Sequence, residues 1–374
     1  MNFAPVTTFR RAAAALVAAL MWAAAAAGAP FNNLVVFGDS LSDIGNISQA
    51  TFGTTPGQYY SNGRFSNGPV YAELFAAGLG LPTLTRSTAG GNDFAYGGAQ
   101  TTGTGGFEGL FIRDVDEQVT QFLSSRTASA NVLFLILAGA NDLNGGQTNV
   151  NAPVSSLGTS INRLVTAGAR QFLVLNLPPL GDTPQHNGSA STRDQYDARS
   201  QQFNTALANM LDVVRSANPS VTISELDVFS FFNRVLADPQ LFGFVNVTSS
   251  AAPGLQPGAT SYNTSQIAAN ANQYLFWDDL HPTAAAHAVL AQRALDLFRL
   301  PGDFNRDNVD DAADYVLWRN GQGSTFIPYD QEIWRAHFGE LASTAGAGST
   351  PVPEPSTAII WVLVAGMLLQ RRRL

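Results

Sequence analysis

The sequence predicts an α/β protein whose parallel sheet is covered by helices on both faces. Two observations carry that prediction. Short continuous apolar runs recur along the chain, among them Leu34-Val35-Val36-Phe37, Val132-Leu133-Phe134-Leu135-Ile136-Leu137 and Gln171-Phe172-Leu173-Val174-Leu175. A strand buried on both faces reads as such a run, without polar alternation. Between the runs, apolar residues return at helical spacing, and strands alternating with helices in this rhythm form crossover-connected parallel sheets.

The first run ends in Gly38-Asp39-Ser40-Leu41-Ser42-Asp43. It presents a hydroxyl where the chain leaves a strand, the edge at which open α/β sheets bind ligands. Ser40 is a candidate nucleophile there, or the N-cap of a following helix. The turn-dense Asn62-Gly63-Arg64-Phe65-Ser66-Asn67-Gly68-Pro69 leads into helical spacing over 70–79, with Pro69 suited to a first turn. Tyr59, Tyr60 and Phe65 either line a cleft or pack. In Asn92-Asp93-Phe94-Ala95-Tyr96-Gly97-Gly98-Ala99, paired glycines allow close backbone approach and a free N–H toward an oxyanion, or simply a tight turn.

Residues 115–126 have an amphipathic pattern. The strand at 132–137 then delivers Ala138-Gly139-Ala140-Asn141-Asp142 to the same sheet edge as Ser40. The Asn141 carboxamide either donates to a developing oxyanion or caps the next helix. A helix is expected over 154–167, a strand over 171–175, a long helix over 192–215 with Phe203, Leu207, Met210, Leu211 and Val214 on one face, and a strand over 221–226. Last comes Phe276-Trp277-Asp278-Asp279-Leu280-His281-Pro282-Thr283, before a helix over 284–298. With Asp278 three residues before His281, the carboxylate can fold back onto Nδ1 and leave Nε2 as a general base. The chain has four histidines; His287 falls inside a helix and His186 in a polar loop.

At 374 residues, 45% apolar and 13% charged, the chain is globular and long enough for one large domain and an appendage. Its net charge is −8 and every basic residue is arginine, which argues against nucleic acid as a partner. It has no cysteine, so disulfides, zinc thiolates and a thiol nucleophile are excluded.

Both ends read as addresses. Over 1–29, Arg10-Arg11, an apolar run and Ala27-Gly28-Ala29 have the order of a secretory signal peptide; an uncleaved membrane anchor is the alternative. At 343–374, a small-residue linker, Val352-Pro353-Glu354-Pro355-Ser356, a short apolar run and Arg371-Arg372-Arg373 follow one another. That order resembles the PEP-CTERM sorting signal of exported bacterial proteins. It implies a sorting machinery as partner and attachment to the cell surface, outer envelope or extracellular matrix.

The motifs around Ser40, Gly98, Asn141 and His281, in this order, together resemble the GDSL family of SGNH lipases and acylhydrolases. The motifs around 62–68, 229–234 and 243–248 add to the likeness, which covers nearly all of residues 34–298. The resemblance implies a three-layer α/β/α sandwich with a flavodoxin-like sheet, over residues 30–300. It implies carboxylic ester hydrolysis, of lipid or acylated carbohydrate, through an acyl-enzyme and without a catalytic cofactor. Carried over position by position, Ser40 is the nucleophile, His281 the base and Asp278 its orienting carboxylate, selected over Asp279 by the Asp-x-x-His-Pro pattern. The oxyanion donors are the N–H groups of Ser40 and Gly98 and the amide of Asn141, with Gly97 the neighbour that could replace Gly98. The reading from another class is a catalytically inactive binding or adhesion module on the same fold.

Residues 301–342 begin at Pro301-Gly302. Asp303, Asn305, Asp307, Asp311 and Asp314 fall at positions 1, 3, 5, 9 and 12 of a loop, with the Val309 carbonyl at 7. This is calcium-loop spacing and resembles a dockerin-type loop, implying one structural Ca2+ and a small helical domain. Asn308 stands where the turn glycine is usual, and Asp310 where an apolar anchor is usual. A cohesin-type partner does not follow from the loop alone. Leu317-Trp318-Arg319 recurs as Ile333-Trp334-Arg335, which predicts two related helices packed through their tryptophans.

Overall fold

Three apolar runs and a fourth, alternating strand become the central sheet. In the computed structural model, which describes residues 31–105, 108–322 and 326–342, β1 (Asn33–Gly38), β2 (Val132–Leu137), β3 (Gln171–Leu175) and β4 (Thr222–Leu226) are parallel and lie in that order. All but the first residue of each of β1, β2 and β3 are buried, which is why they read as unbroken apolar runs.

A further edge segment escapes sequence reading. Asn92 O accepts from Val36 N, the Phe94 N–H donates to Val36 O, and the Tyr96 N–H donates to Gly38 O. Counting this stretch as a strand, the sheet order becomes 2-1-3-4-5, the flavodoxin-like arrangement. Its polar start and paired glycines conceal it, because a short strand carrying Asn92 and Asp93 has no apolar run.

The helices form two layers on this sheet. On one side α3 (Val115–Ser125), α5 (Asn151–Thr166) and α6 (Ala190–Ala217) pack together; on the other, α2 (Tyr71–Gly78) packs on α8 (Ala284–Leu295). The short helices α1 (Asn46–Ala50) and α4 (Ala140–Asn144) sit at the strand exits. The long helix carries the expected stripe, with Phe203, Leu207, Leu211 and Val214 buried, while Met210 is only partly buried. Phe37 of β1 meets Phe94, Phe122 of α3 and Phe134 of β2 with ring centroids 5.7, 5.8 and 6.4 Å apart. Interlocked rings of this kind give a core that tolerates few alternative packings.

After β4 the chain forms α7 (Val228–Ala237), capped by the Asp227 carboxylate, which accepts from Ser230 N. A small parallel pair, β5 (Asn246–Ser250) and β6 (Tyr274–Phe276), follows. A second core gathers Val235, Phe242, Phe244, Leu275 and Phe276.

The C-terminal helices α9 (Ala312–Gly321) and α10 (Pro328–His337) are related as their repeated motif suggests. The Trp318 indole donates to Ile327 O, at the start of α10, and the Trp334 indole donates to Asp311 O, at the start of α9. Each helix thus has its first turn fixed by the other's tryptophan. Both tryptophans also pack on Tyr315, at 5.6 and 5.0 Å. Tyr329 of α10 joins the second core, 4.7 Å from the Phe242 ring, and Arg234 of α7 lies over Tyr329 and pairs with Glu332 at 2.6 Å. Described residues through Glu340 accordingly belong to one compact unit.

The loop before α9 does not assemble the expected calcium ligands. The carboxylates instead accept backbone N–H groups: Asp303 from Asp307 and Asn308, Asp307 from Val309, Asp311 from Ala313, and Asp314 from Asn305 on one oxygen and Asp311 on the other. Asn305 Oδ1 accepts from Asp307 N in the same way. Both Asp314 oxygens thus brace the loop, each through one backbone N–H. Among the described residues no group of three or more His, Asp or Glu side chains converges as a metal set. Asn308 does take the left-handed conformation, φ 70°. Asp310 is buried without a side-chain partner, and burial, then Asp314, pushes its carboxyl up to about 7.

The export signal expected over 1–29 and the sorting tail expected over 343–374 lie outside the described residues. Among the described residues no helix is long and apolar enough to cross a membrane.

Candidate active site

Gly38 ends β1 where no side chain fits: a Cβ there would lie 2.4 Å from Leu137 O of the neighbouring strand. The next residues turn sharply, Asp39 O accepting from both Ser42 N and Asp43 N while its carboxylate accepts from Leu41 N. Ser40 is left at the carboxyl edge of the sheet. Burial pushes the Asp39 carboxyl up to about 6, against the Leu41 N–H and the nearby His281.

His281 reaches Ser40 from the loop before α8. Its Nε2 lies 3.0 Å from Ser40 Oγ, and its Nδ1 lies 2.7 Å from Asp278 Oδ2 and 3.0 Å from Oδ1. The loop is held by the same carboxylate, since Asp278 Oδ1 also accepts from Leu280 N and His281 N. With Nδ1–H on the carboxylate, Nε2 carries the lone pair that faces Oγ–H. Burial works to raise Asp278, but His281 and the hydrogen bonds converging on it win and hold it below the usual carboxylate range. The rival Asp279 turns away and accepts from Ser250 Oγ at 2.8 Å. The other histidines are engaged elsewhere: His186 stacks on Tyr196, His287 is buried against Tyr71, and His337 meets Glu340.

One partner of this chain of groups has no signal in the sequence. Tyr60 OH donates to Asp278 Oδ2 at 2.6 Å, across 218 positions. The motif at 62–68 is tied to the same loop: Ser66 Oγ donates to Pro282 O and Asn67 Oδ1 accepts from Ala284 N. Phe65 packs 5.0 Å from the imidazole.

Beside Ser40, the glycine pair divides its work. The Gly97 N–H donates to Asp43 Oδ2 at 2.8 Å and is committed. Gly98 is left-handed, φ 83°, a conformation costly for residues with a Cβ. Among the described residues, neither its N–H nor that of Ser40 has a hydrogen-bond partner. Asn141, in the first turn of α4, gives one amide N–H to Ala99 O at 2.8 Å and has a second to spare. Its neighbour Asp142 accepts from Thr101 N and Oγ1, tying α4 to the glycine loop. Asp43 organises the loop from below, accepting from Gly45, Asn46, Ile47 and Gly97; burial still pushes it up to about 6.

Ser40, Gly98, Asn141 and His281 therefore share the wall of one cavity of about 730 Å3 that opens to solvent, whose other lining includes Thr51, Gln100 and Glu108. A hydroxyl, an imidazole with an oriented lone pair, a buried carboxylate and spare N–H donors are the parts that acyl transfer requires.

Residues 34–294 match the model of the GDSL-like lipase/acylhydrolase family. The chain is 28% identical to the thermolabile hemolysin of Vibrio parahaemolyticus, covering 71% of this chain and 63% of the hemolysin. It is likewise 28% identical to the phosphatidylcholine-sterol acyltransferase of Aeromonas hydrophila, over 71% of this chain and 89% of that protein. A GDSL esterase/lipase of Arabidopsis thaliana is 25% identical, over 70% and 87%. Among solved structures, a lipolytic G-D-S-L family member from Veillonella parvula is similar with a TM-score of 0.40 at 13% identity, over 71% of this chain and 97% of that one. With a family match spanning every strand of the central sheet and every member of the Ser40 constellation, the chain belongs to the GDSL-like lipase/acylhydrolase family.

Proposed function

We propose that this protein is an exported serine hydrolase of carboxylic esters, working through an acyl-enzyme on Ser40. The observation that carries the reading is the continuous relay from Ser40 Oγ through His281 to Asp278, at 3.0 and 2.7 Å, on the wall of an open cavity. In the first step Oγ attacks the ester carbonyl and its proton passes to Nε2. The oxyanion is met by the N–H groups of Ser40 and Gly98 and by the second N–H of Asn141. The carbon–oxygen bond to the alcohol then breaks, and the alcohol leaves with the proton from Nε2. Water repeats the sequence and frees the acid, and Asp278 holds the imidazolium throughout. None of these steps requires a cofactor.

Export, and delivery to the cell surface or matrix, rest on the residue order at 1–29 and 343–374. The deciding experiment compares purified wild-type and Ser40→Ala protein on p-nitrophenyl esters. Ser40→Ala is expected to fold and to lose about 10⁴-fold or more of its turnover. Wild-type rates in Ser40→Ala would take the nucleophile's role from Ser40, whereas an inactive wild type would return the chain to the binding-module reading.

A further inference from the structure

A second, smaller cavity also opens on Ser40 and His281, on the side of the serine that faces into the protein. Its walls are apolar: Leu41, Leu137, Leu177, Pro178, Phe232 and Phe276. Of its polar members, Ser40, Asn141, Asn144 and His281 are shared with the large open cavity, while Asp39 and Thr183 are its own. Beyond it is a third cavity, reaching Val235, Phe244, Leu275 and Val289, which has Leu41, Leu137, Pro178, Phe232 and Pro282 as walls in common with the second.

The chemistry of the proposed reaction tells these spaces apart. The alcohol must leave after the first step, so it belongs in the cavity open to solvent. The acyl group stays covalently on Ser40 Oγ until water arrives, and an enclosed apolar slot suits the part that stays. Building on the ester-hydrolase reading, we infer that the inner slot is the acyl-chain subsite and that Phe232 is its floor. The preferred substrates are then short-chain acyl esters of a bulky, largely apolar alcohol with some polar groups, whose leaving group lies against Ile47, Phe111 and Ile112 and meets Thr51, Gln100 and Glu108.

Size sets the length. A packed water takes about 30 Å3 and a methylene is similar in size, so a slot of about 50 Å3 has room for a chain of only a few carbons. The third cavity, about 60 Å3, holds about as many again. Phe232 projects from α7, its ring 5.9 Å from that of Phe276. Of the shared walls it is the large side chain that belongs neither to the nucleophile's turn nor to the sheet.

The test is the kcat/KM profile of the full-length protein on p-nitrophenyl esters from acetyl to dodecanoyl. For the wild type, kcat/KM should rise about fourfold per methylene up to about butanoyl, the increment expected for burying one methylene, and fall beyond it. In Phe232→Ala the two cavities merge, and the rise should continue to about octanoyl. Phe232→Leu should shift the optimum by a smaller amount, and decides the matter if thermal unfolding shows that Phe232→Ala does not fold. A wild-type profile that keeps rising to dodecanoyl, or a folded Phe232 variant with an unmoved optimum, overturns the subsite while leaving Ser40 its role. Failure to cleave any ester of the series overturns the ester-hydrolase reading and the subsite with it.

Discussion

Four donors converge on the Asp278 carboxylate: the N–H groups of Leu280 and His281, the His281 imidazole and the Tyr60 hydroxyl. The first three come from the chain immediately after Asp278, so the Asp-x-x-His spacing is enough to build them. Tyr60 comes from the far side of the sequence and adds a charge-assisted bond of the stronger kind. Its removal leaves the carboxylate less stabilised, more basic, and a stronger acceptor from the imidazole. Tyr60→Phe frees the carboxylate to turn and is expected to lower kcat roughly tenfold, while the more basic carboxylate moves the acid limb of the kcat/KM profile to higher pH. A lower melting temperature with an unmoved acid limb would make Tyr60 a packing residue only. Here residue types pointed to Ser40, His281 and Asp278, which the structure brings together, whereas Tyr60 stayed hidden because nothing in the spacing of Tyr59-Tyr60 points at a residue 218 positions away.

At the scale of elements, the seam between α2 and α8 holds a titratable group with no part in the proposed chemistry. His287 Nδ1 accepts from Tyr71 N at 3.2 Å, its ring stacks on Tyr71, and its Nε2 is buried without a partner. Burial, helped by His281, pushes its pKa from 6.5 down to about 3. The folded state therefore keeps this imidazole neutral where the unfolded chain takes up a proton. Its contribution to stability is full above about 6.5 and is lost as pH falls from there toward 3. His287→Gln keeps an acceptor for Tyr71 N and removes the titration. Between pH 7 and pH 5 the variant should lose about 2 kcal/mol less stability than the wild type in denaturant titrations. Parallel pH dependences would mean that His287 takes up its proton in the fold. The helices of this seam were legible in the sequence, and the structure adds the Thr283 cap, whose side chain accepts from Ala286 N. The fifth edge segment at 92–96 was not, since its polar start and paired glycines break any apolar run, and α7 was read only as the motif at 229–234 although its apolar residues recur at helical spacing.

Across the whole molecule, the order of strands and helices was written plainly in the chain because a parallel sheet needs unbroken apolar runs. The relation between α9 and α10 was legible in their repeated tryptophan motif, but not their seat on the hydrolase, which depends on Tyr329 entering a core formed by residues a hundred positions earlier. In the loop with calcium spacing, alternating Asp and Asn also satisfy the loop's own N–H groups. The pieces from distant parts of the chain meet at one atom, Ser40 Oγ. Treating the purified protein with an alkyl fluorophosphonate and measuring the mass of the intact chain and its peptides tests that meeting point most directly. The account predicts a single phosphonyl adduct, formed with loss of fluoride, on the peptide that contains Ser40, together with loss of esterase activity. No adduct on the folded protein, or loss of activity with the adduct on another residue, would contradict it.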